Sequence, residues 1–194
     1  MTIYEIIGVL SGVVFASSVI PYIISIMKGK STPHPVSWVL WAILGAVTFY
    51  FSIKLGAQET LPLAFFNFAT PCLIAILSIK YWSKGAFSRF DYICLVCSLS
   101  AIVTYILFRN AAFSLTLNLL GDFFAYLPTL RKTYFDPGSE NLLAWGLVTI
   151  GYVLSIVAAI PRFTYGIAIF PIYLTIFGII MCCLIFRGRL KKAQ

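Results

Sequence analysis

Val19-Ile20-Pro21-Tyr22, followed by Lys28-Gly29-Lys30-Ser31-Thr32 and Ser37-Trp38, is the stretch on which the reading of this chain turns. It has a second copy. Tyr126-Leu127-Pro128-Thr129 leads through Arg131-Lys132 and Gly138-Ser139-Glu140-Asn141 to Trp145. A shift of 107 residues lays Pro21 on Pro128 and Trp38 on Trp145 without a gap. In both copies a proline late in an apolar run precedes a basic, Ser-containing turn and then a tryptophan. Self-similarity at a fixed offset is the signature of a duplicated architecture.

The surroundings of the two copies are those of a membrane protein. Hydrophobic residues make up 61% of the 194 and charged residues 10%, against about 25% charged in a soluble domain. Hydropathy places apolar runs near 4–27, 36–54, 60–80, 91–108, 112–130, 142–160 and 164–186. Each is close to the length that crosses the hydrocarbon core, the fourth being the shortest. The expected fold is therefore all-α, with seven transmembrane helices. A three-helix unit starts and ends on opposite sides of a membrane, so two units in the same orientation need one extra crossing between them. The short fourth run supplies it. The expectation is 3+1+3: a first repeat over 1–82, a linker helix in 83–110, and a second repeat with a basic tail over 111–194. Parallel repeats around a midplane site are a transporter plan.

The bases set the orientation. Lys28, Lys30, Lys80, Lys84, Arg89, Arg131, Lys132, Arg187, Arg189, Lys191 and Lys192, 11 in all, fall on one side, and Lys54, Arg109 and Arg162 on the other. The positive-inside bias puts the larger set in the cytoplasm, with the N-terminus outside and the C-terminus inside. The N-terminus lacks the basic n-region of a cleaved signal peptide, which predicts that the first helix is retained. The net charge of +8 meets lipid headgroups on this reading and not nucleic acid, because the bases sit between apolar runs and at the C-terminus.

Pro21 with Lys30-Ser31-Thr32 and Ser37 resembles the SWEET and PQ-loop (MtN3-like) superfamily, in which a proline is followed about nine residues later by a Lys-Ser-Thr turn; Pro128 with Ser139-Glu140-Asn141 is a looser second copy. Pro33-His34-Pro35-Val36-Ser37-Trp38 and Pro128-Thr129-Leu130-Arg131-Lys132 are similar to a bacterial branch without an assigned substrate. The resemblance implies the 3+1+3 layout, the N-out orientation, hinge prolines at Pro21 and Pro128, and alternating access in a bacterial inner membrane. The chain departs from the lysosomal members in having Tyr22 and Thr129 where they carry Gln. It departs from sugar-type members in offering Asn67 in the first repeat but no Asn in the seventh span.

Asp122 is the leading candidate for function. It is the only acidic residue deep inside a span, where a carboxylate costs roughly 2.5–3.5 kcal/mol on insertion scales. Ser114, Asn118, Asp122 and Tyr126 share a helix face, a stripe suited to a cationic or hydroxylated solute, or to a proton. Trp41, Thr149, Tyr152 and Asn67 complete the expected substrate-binding set. For Asn67 an interhelical hydrogen bond is the competing reading. Trp38 and Trp145 are either gates or headgroup-depth anchors, and the prolines either hinges or tolerated kinks. The sole histidine, His34, cannot build a metal site alone, and the five cysteines read as packing thiols. With one buried acid and no nucleophile–base pair, an enzyme is not expected, and neither is a cofactor or metal. The expected partners are the bilayer and a small polar solute, with proton coupling left open; a homo-oligomer is compatible but not required. The alternative is a seven-helix receptor or sorting protein of the same fold without net transport.

Overall fold

A computed structural model describes residues 2–79, 88–107 and 111–193 of the chain. Lys80, Lys84 and Arg109 of the charge count, and residues 83–87 and 108–110 of the expected linker, lie outside this set, as do the side chains of Ser114, Arg189, Lys191 and Lys192. The described residues are helical, with no strand among them. In order they form α1 (Ile3–Ser17), α2 (Val19–Met27), α3 (Pro35–Lys54), α4 (Leu61–Ser78), α5 (Arg89–Leu107), α6 (Ala111–Phe135), α7 (Leu142–Ala158) and α8 (Tyr165–Ala193). Short 3-10 turns at Pro137–Ser139 and Ile160–Arg162 flank α7.

Local chemistry explains the boundaries. Thr2 and Glu5 form a reciprocal capping box that starts α1. Pro35 opens α3 at a position where its missing N–H costs nothing. The Asn141 side chain accepts from the Ala144 N–H and caps α7. α1 and α2 are one apolar run interrupted at Ser18. Pro21 has no N–H to offer the Ser17 carbonyl and its ring crowds that turn, which accounts for the break. α6, by contrast, continues without interruption through Pro128.

Among the described residues, four stretches are long and apolar enough to cross a membrane: Ile3–Met27, Pro35–Lys54, Leu61–Ser78 and Tyr165–Gly188. Leu142–Ala158 is also apolar but shorter, at 17 residues. The outward faces match such a setting. Val13, Ile20, Ile76, Val96 and Ile179 are at least half exposed, whereas Ser11, Ser25, Ser37 and Ser155 are buried. Greasy exteriors with small polar residues at helix contacts are what a lipid solvent selects.

The packing has a clear order. α4 lies against both α3 and α1, and α8 against both α7 and α6. α1 packs on α7, α3 packs on α6, and α5 rests mainly on α6. Close approach is fixed by small residues. A Cβ on Gly45 of α3 would stand 2.5 Å from the Asn67 carbonyl oxygen of α4. One on Gly151 of α7 would stand 2.9 Å from Phe15 Cβ of α1.

Candidate functional site

The helices leave a cavity of about 50 Å3 between them. Its wall draws on α1 (Phe15), α2 (Val19, Tyr22), α3 (Trp38, Trp41), α4 (Asn67, Thr70, Ile74), α6 (Asp122, Tyr126), α7 (Trp145, Val148, Tyr152) and α8 (Leu174). None of its described lining residues belongs to α5. One water needs roughly 10–15 Å3 on this scale, so the space holds a few waters or one small ligand group.

Six of the expected site residues meet there: Asp122, Tyr126, Asn67, Trp41, Tyr152 and, from the gate-or-anchor pair, Trp38. Trp145 is a seventh. Both Trp38 and Trp145 are buried, at 8% and 5% exposure, so they stand in the cavity wall and not at a lipid-facing position. The wall is an aromatic cluster. Ring centroids lie 5.0 Å apart for Trp38–Trp41, 4.7 Å for Trp41–Tyr126 and 6.2 Å for Trp41–Trp145. Tyr22 stacks on Trp38 at 5.2 Å, and Phe15 on Tyr152 at 5.4 Å. Such tilted and edge-on pairs stabilise beyond their buried area.

Asp122 is the only charged residue among the described lining residues. It is 8% exposed, and its Oδ2 has no hydrogen-bond partner among the described residues. Tyr173 of α8 is the polar side chain that approaches the Asp122 carboxyl, without a well-formed hydrogen bond to Oδ2. The Tyr152 hydroxyl donates to Asn67 Oδ1 at 3.1 Å, linking α7 to α4 across the cavity. The indole N–H groups of Trp38 and Trp41 are buried without an acceptor among the described residues.

Two expected binding residues lie elsewhere. Asn118 is one turn from Asp122, but its Nδ2 donates to Thr48 Oγ1 at 2.7 Å and to the Leu44 carbonyl at 3.4 Å. It ties α6 to α3 and does not reach the wall. The Thr149 hydroxyl donates to the Trp145 carbonyl at 2.8 Å and lies 3.6 Å from Cys182 Sγ, facing α8. The stripe read from helical spacing thus divides: Asp122 and Tyr126 face the cavity, and Asn118 faces a neighbouring helix.

Sequence reasoning missed a set of polar ties at one end of the cavity. Glu140, whose side chain is fully enclosed, accepts from Lys132 Nζ at 2.5 Å and from Trp145 Nε1 at 3.0 Å. Lys132 also donates to the Thr32 carbonyl. The Thr32 N–H donates to the Ser139 carbonyl at 3.1 Å, and Asn141 Nδ2 to the Pro21 carbonyl at 3.4 Å. These bonds join α2 and the turn after it to the turn after α6, and through Glu140 they reach the Trp145 indole. The signal available was scarcity: with six acids in the whole chain, a Glu placed eight residues from Lys132, at the mouth of a helix, has a reason to be there. At the opposite end Arg162 Nε lies 3.3 Å from Glu59 Oε1, its Nη1 donates to the Gly56 carbonyl, and the Thr116 and Tyr165 hydroxyls share a 2.8 Å bond.

His34, at the start of α3, places Nε2 3.6 Å from Asp91 Oδ1 at the start of α5. Burial lowers its pKa from the ordinary value, with the Asp91 carboxylate opposing the shift. Comparison with protein-family models, with characterised proteins and with solved structures finds no match to the chain.

Proposed function

We propose that this chain is a small-solute membrane transporter of SWEET and PQ-loop type, working by alternating access around the cavity that holds Asp122. In this reading all seven apolar helices span, α1 with α2 counting as one. α1 to α4 form the first three-helix repeat, α5 is the linker, and α6 to α8 form the second. The N-terminus is outside and the C-terminus cytoplasmic, in a bacterial inner membrane.

One observation carries the reading. Five pairs of cavity-lining residues are separated by the same 107 positions that align the two sequence copies: Phe15 and Asp122, Val19 and Tyr126, Trp38 and Trp145, Trp41 and Val148, Asn67 and Leu174. Only the tryptophan pair entered the original alignment. The packing order supports the same relation: exchanging the repeats turns α4 against α1 and α3 into α8 against α6 and α7, and turns the α1–α7 contact into the α3–α6 contact. A cavity on such a pseudo-two-fold axis is where rocking of one repeat against the other exposes a site alternately to each side. The Lys132–Glu140 ties would close one end in the state described here, and the break at Ser18 above Pro21 supplies a place for the first repeat to bend.

The experiment is uptake of radiolabelled candidate solutes into proteoliposomes with and without an imposed pH gradient, comparing the wild type with Asp122→Asn. The expected result is saturable uptake that the substitution reduces at least tenfold. Uptake by the variant at the wild-type rate and with the wild-type pH dependence would remove Asp122 from the mechanism.

A further inference from the structure

The pseudo-symmetric cavity is unsymmetrical in its chemistry. The position equivalent to Asp122 is held by Phe15, and that equivalent to Asn67 by Leu174. The described lining therefore contains one acidic side chain, and none of its residues is basic. A buried carboxyl oxygen without a partner is expensive, and Oδ2 has none among the described residues. The same cavity is lined by Trp38, Trp41, Tyr126 and Trp145, with neighbouring ring centroids 4.7–6.3 Å apart.

We propose that the cavity binds the ammonium group of a small, singly charged organic cation, with Asp122 as its counter-ion and Trp38, Trp41, Tyr126 and Trp145 as its aromatic walls. This names the solute class of the transport site and rests on that reading of the cavity. The chemistry selects against the other classes. An anion or a zwitterion needs a basic partner for its carboxylate, and the wall offers none. A sugar needs a ring of donors and acceptors, yet the Asn67 side-chain Oδ1 already accepts from Tyr152, and much of the rest is apolar. A bare metal ion needs several oxygens to replace its hydration shell. An alkylammonium asks for little else than one carboxylate and several π faces, the combination that holds quaternary ammonium ligands. The Trp38 and Trp41 N–H groups, buried without acceptors among the described residues, would serve a hydroxyl or ether oxygen carried beside the charge. The volume of about 50 Å3 sets the size at a methylammonium-like head unless the wall widens.

The test is a titration of the full chain in lipid nanodiscs, with tryptophan emission as the readout. The probes are methylammonium, tetramethylammonium and choline, against tert-butanol, glucose, glycine, potassium and sodium. Saturable quenching by one or more of the organic cations is expected, with none by the neutral or zwitterionic probes. Asp122→Asn should weaken it at least tenfold, and Trp41→Leu about two- to thirtyfold, with Trp41→Phe retaining most of the affinity. The tryptophan series keeps the question answerable if the Asp122 variant does not fold. Saturable binding of glucose or glycine, response to potassium or sodium alone, no response to any organic cation, or cation binding unchanged in Asp122→Asn would each overturn the proposal. Because nanodiscs report binding and not flux, cation binding without uptake in proteoliposomes would refute transport and leave the ligand class standing. Uptake of a non-cationic solute would do the reverse.

Discussion

Replacing Glu140 with Gln should open the end of the cavity that Trp38 and Trp145 line. Glutamine keeps the shape of the side chain and an oxygen for the Trp145 N–H, so what is lost is the charge facing Lys132. The Glu140 side chain is fully enclosed and that of Lys132 is 19% exposed. A hydrogen bond to a charged partner contributes about 1.5–3 kcal/mol. Lys132 retains the Thr32 carbonyl and some access to water, which puts the loss in the lower part of that range, about 1.5–2 kcal/mol. If the tie exists only in the closed arrangement, the population open at that end rises about ten- to thirtyfold, at 1.4 kcal/mol per tenfold. Opening can be read chemically by replacing Cys72, Cys94, Cys97, Cys182 and Cys183 with Ala and adding Val148→Cys in the cavity wall. Modification of the new thiol by a membrane-impermeant methanethiosulfonate added on the side where Glu140 lies, cytoplasmic in the proposed orientation, then tracks the open fraction. A rate within twofold of the parent, with an unchanged thermal midpoint, would show that Glu140 does not hold this end closed.

Three further outcomes follow from the same geometry. Gly45→Ala should destabilise by about 1–3 kcal/mol in thermal or detergent unfolding, because the new Cβ meets the Asn67 carbonyl at 2.5 Å and backbone cannot move aside as a flexible side chain can; an unchanged midpoint would contradict the close packing of α3 on α4. A double-mutant cycle of Asn118→Ala with Thr48→Ala should give a coupling near 0.6 kcal/mol and no more than about 1.7 kcal/mol, the range of interhelical hydrogen bonds in membrane proteins; zero coupling would return Asn118 to the list of ligand contacts. His34 is buried with a lowered pKa, so its contribution to stability is present above the unfolded value of about 6.5 and is lost as pH falls through its lower folded value. His34→Gln should therefore shrink the difference in melting temperature between pH 7.5 and pH 5, and an unaltered difference would refute the role.

Helix content was legible because it depends on local composition: apolar runs of spanning length. Asp122 was legible for the related reason that a carboxylate in an apolar run has few explanations. What helical spacing could not supply is which neighbour each residue meets. Asn118 and Tyr126 are both one turn from Asp122, yet Asn118 reaches Thr48 and Tyr126 reaches Trp41, a choice made by the rotation of α6 against α3. Trp38 and Trp145 were read as gates or anchors from their place at the start of apolar runs. Their burial follows from a contact the sequence does not display, the turns after α2 and α6 folding over that end. Pro21 and Pro128 look equivalent in the alignment, but only the first stands at a helix break. Proline removes one hydrogen bond in either case, and the surrounding packing decides whether the helix yields.

The ties at the two ends of the bundle are unequal, and the inequality predicts which end opens more readily. Glu140 is enclosed, and both of its oxygens accept from donors, one of them Lys132. Glu59 is also buried, but its Oε2 has no partner among the described residues, and the Arg162 side chain that faces it is 51% exposed. A charge pair with one partner half in water is worth about 0–1 kcal/mol, less than the 1.5–2 kcal/mol assigned to Glu140. Glu59→Gln should therefore change access to the Val148→Cys thiol from the opposite side by at most about fivefold. Glu140→Gln should change access from its own side by ten- to thirtyfold. Accessibility that responds equally to both substitutions would mean that the ties are not what separates the two ends. The closure would then have to come from the aromatic packing of Trp38, Trp41 and Trp145, and substitutions in that cluster would be the ones to open it.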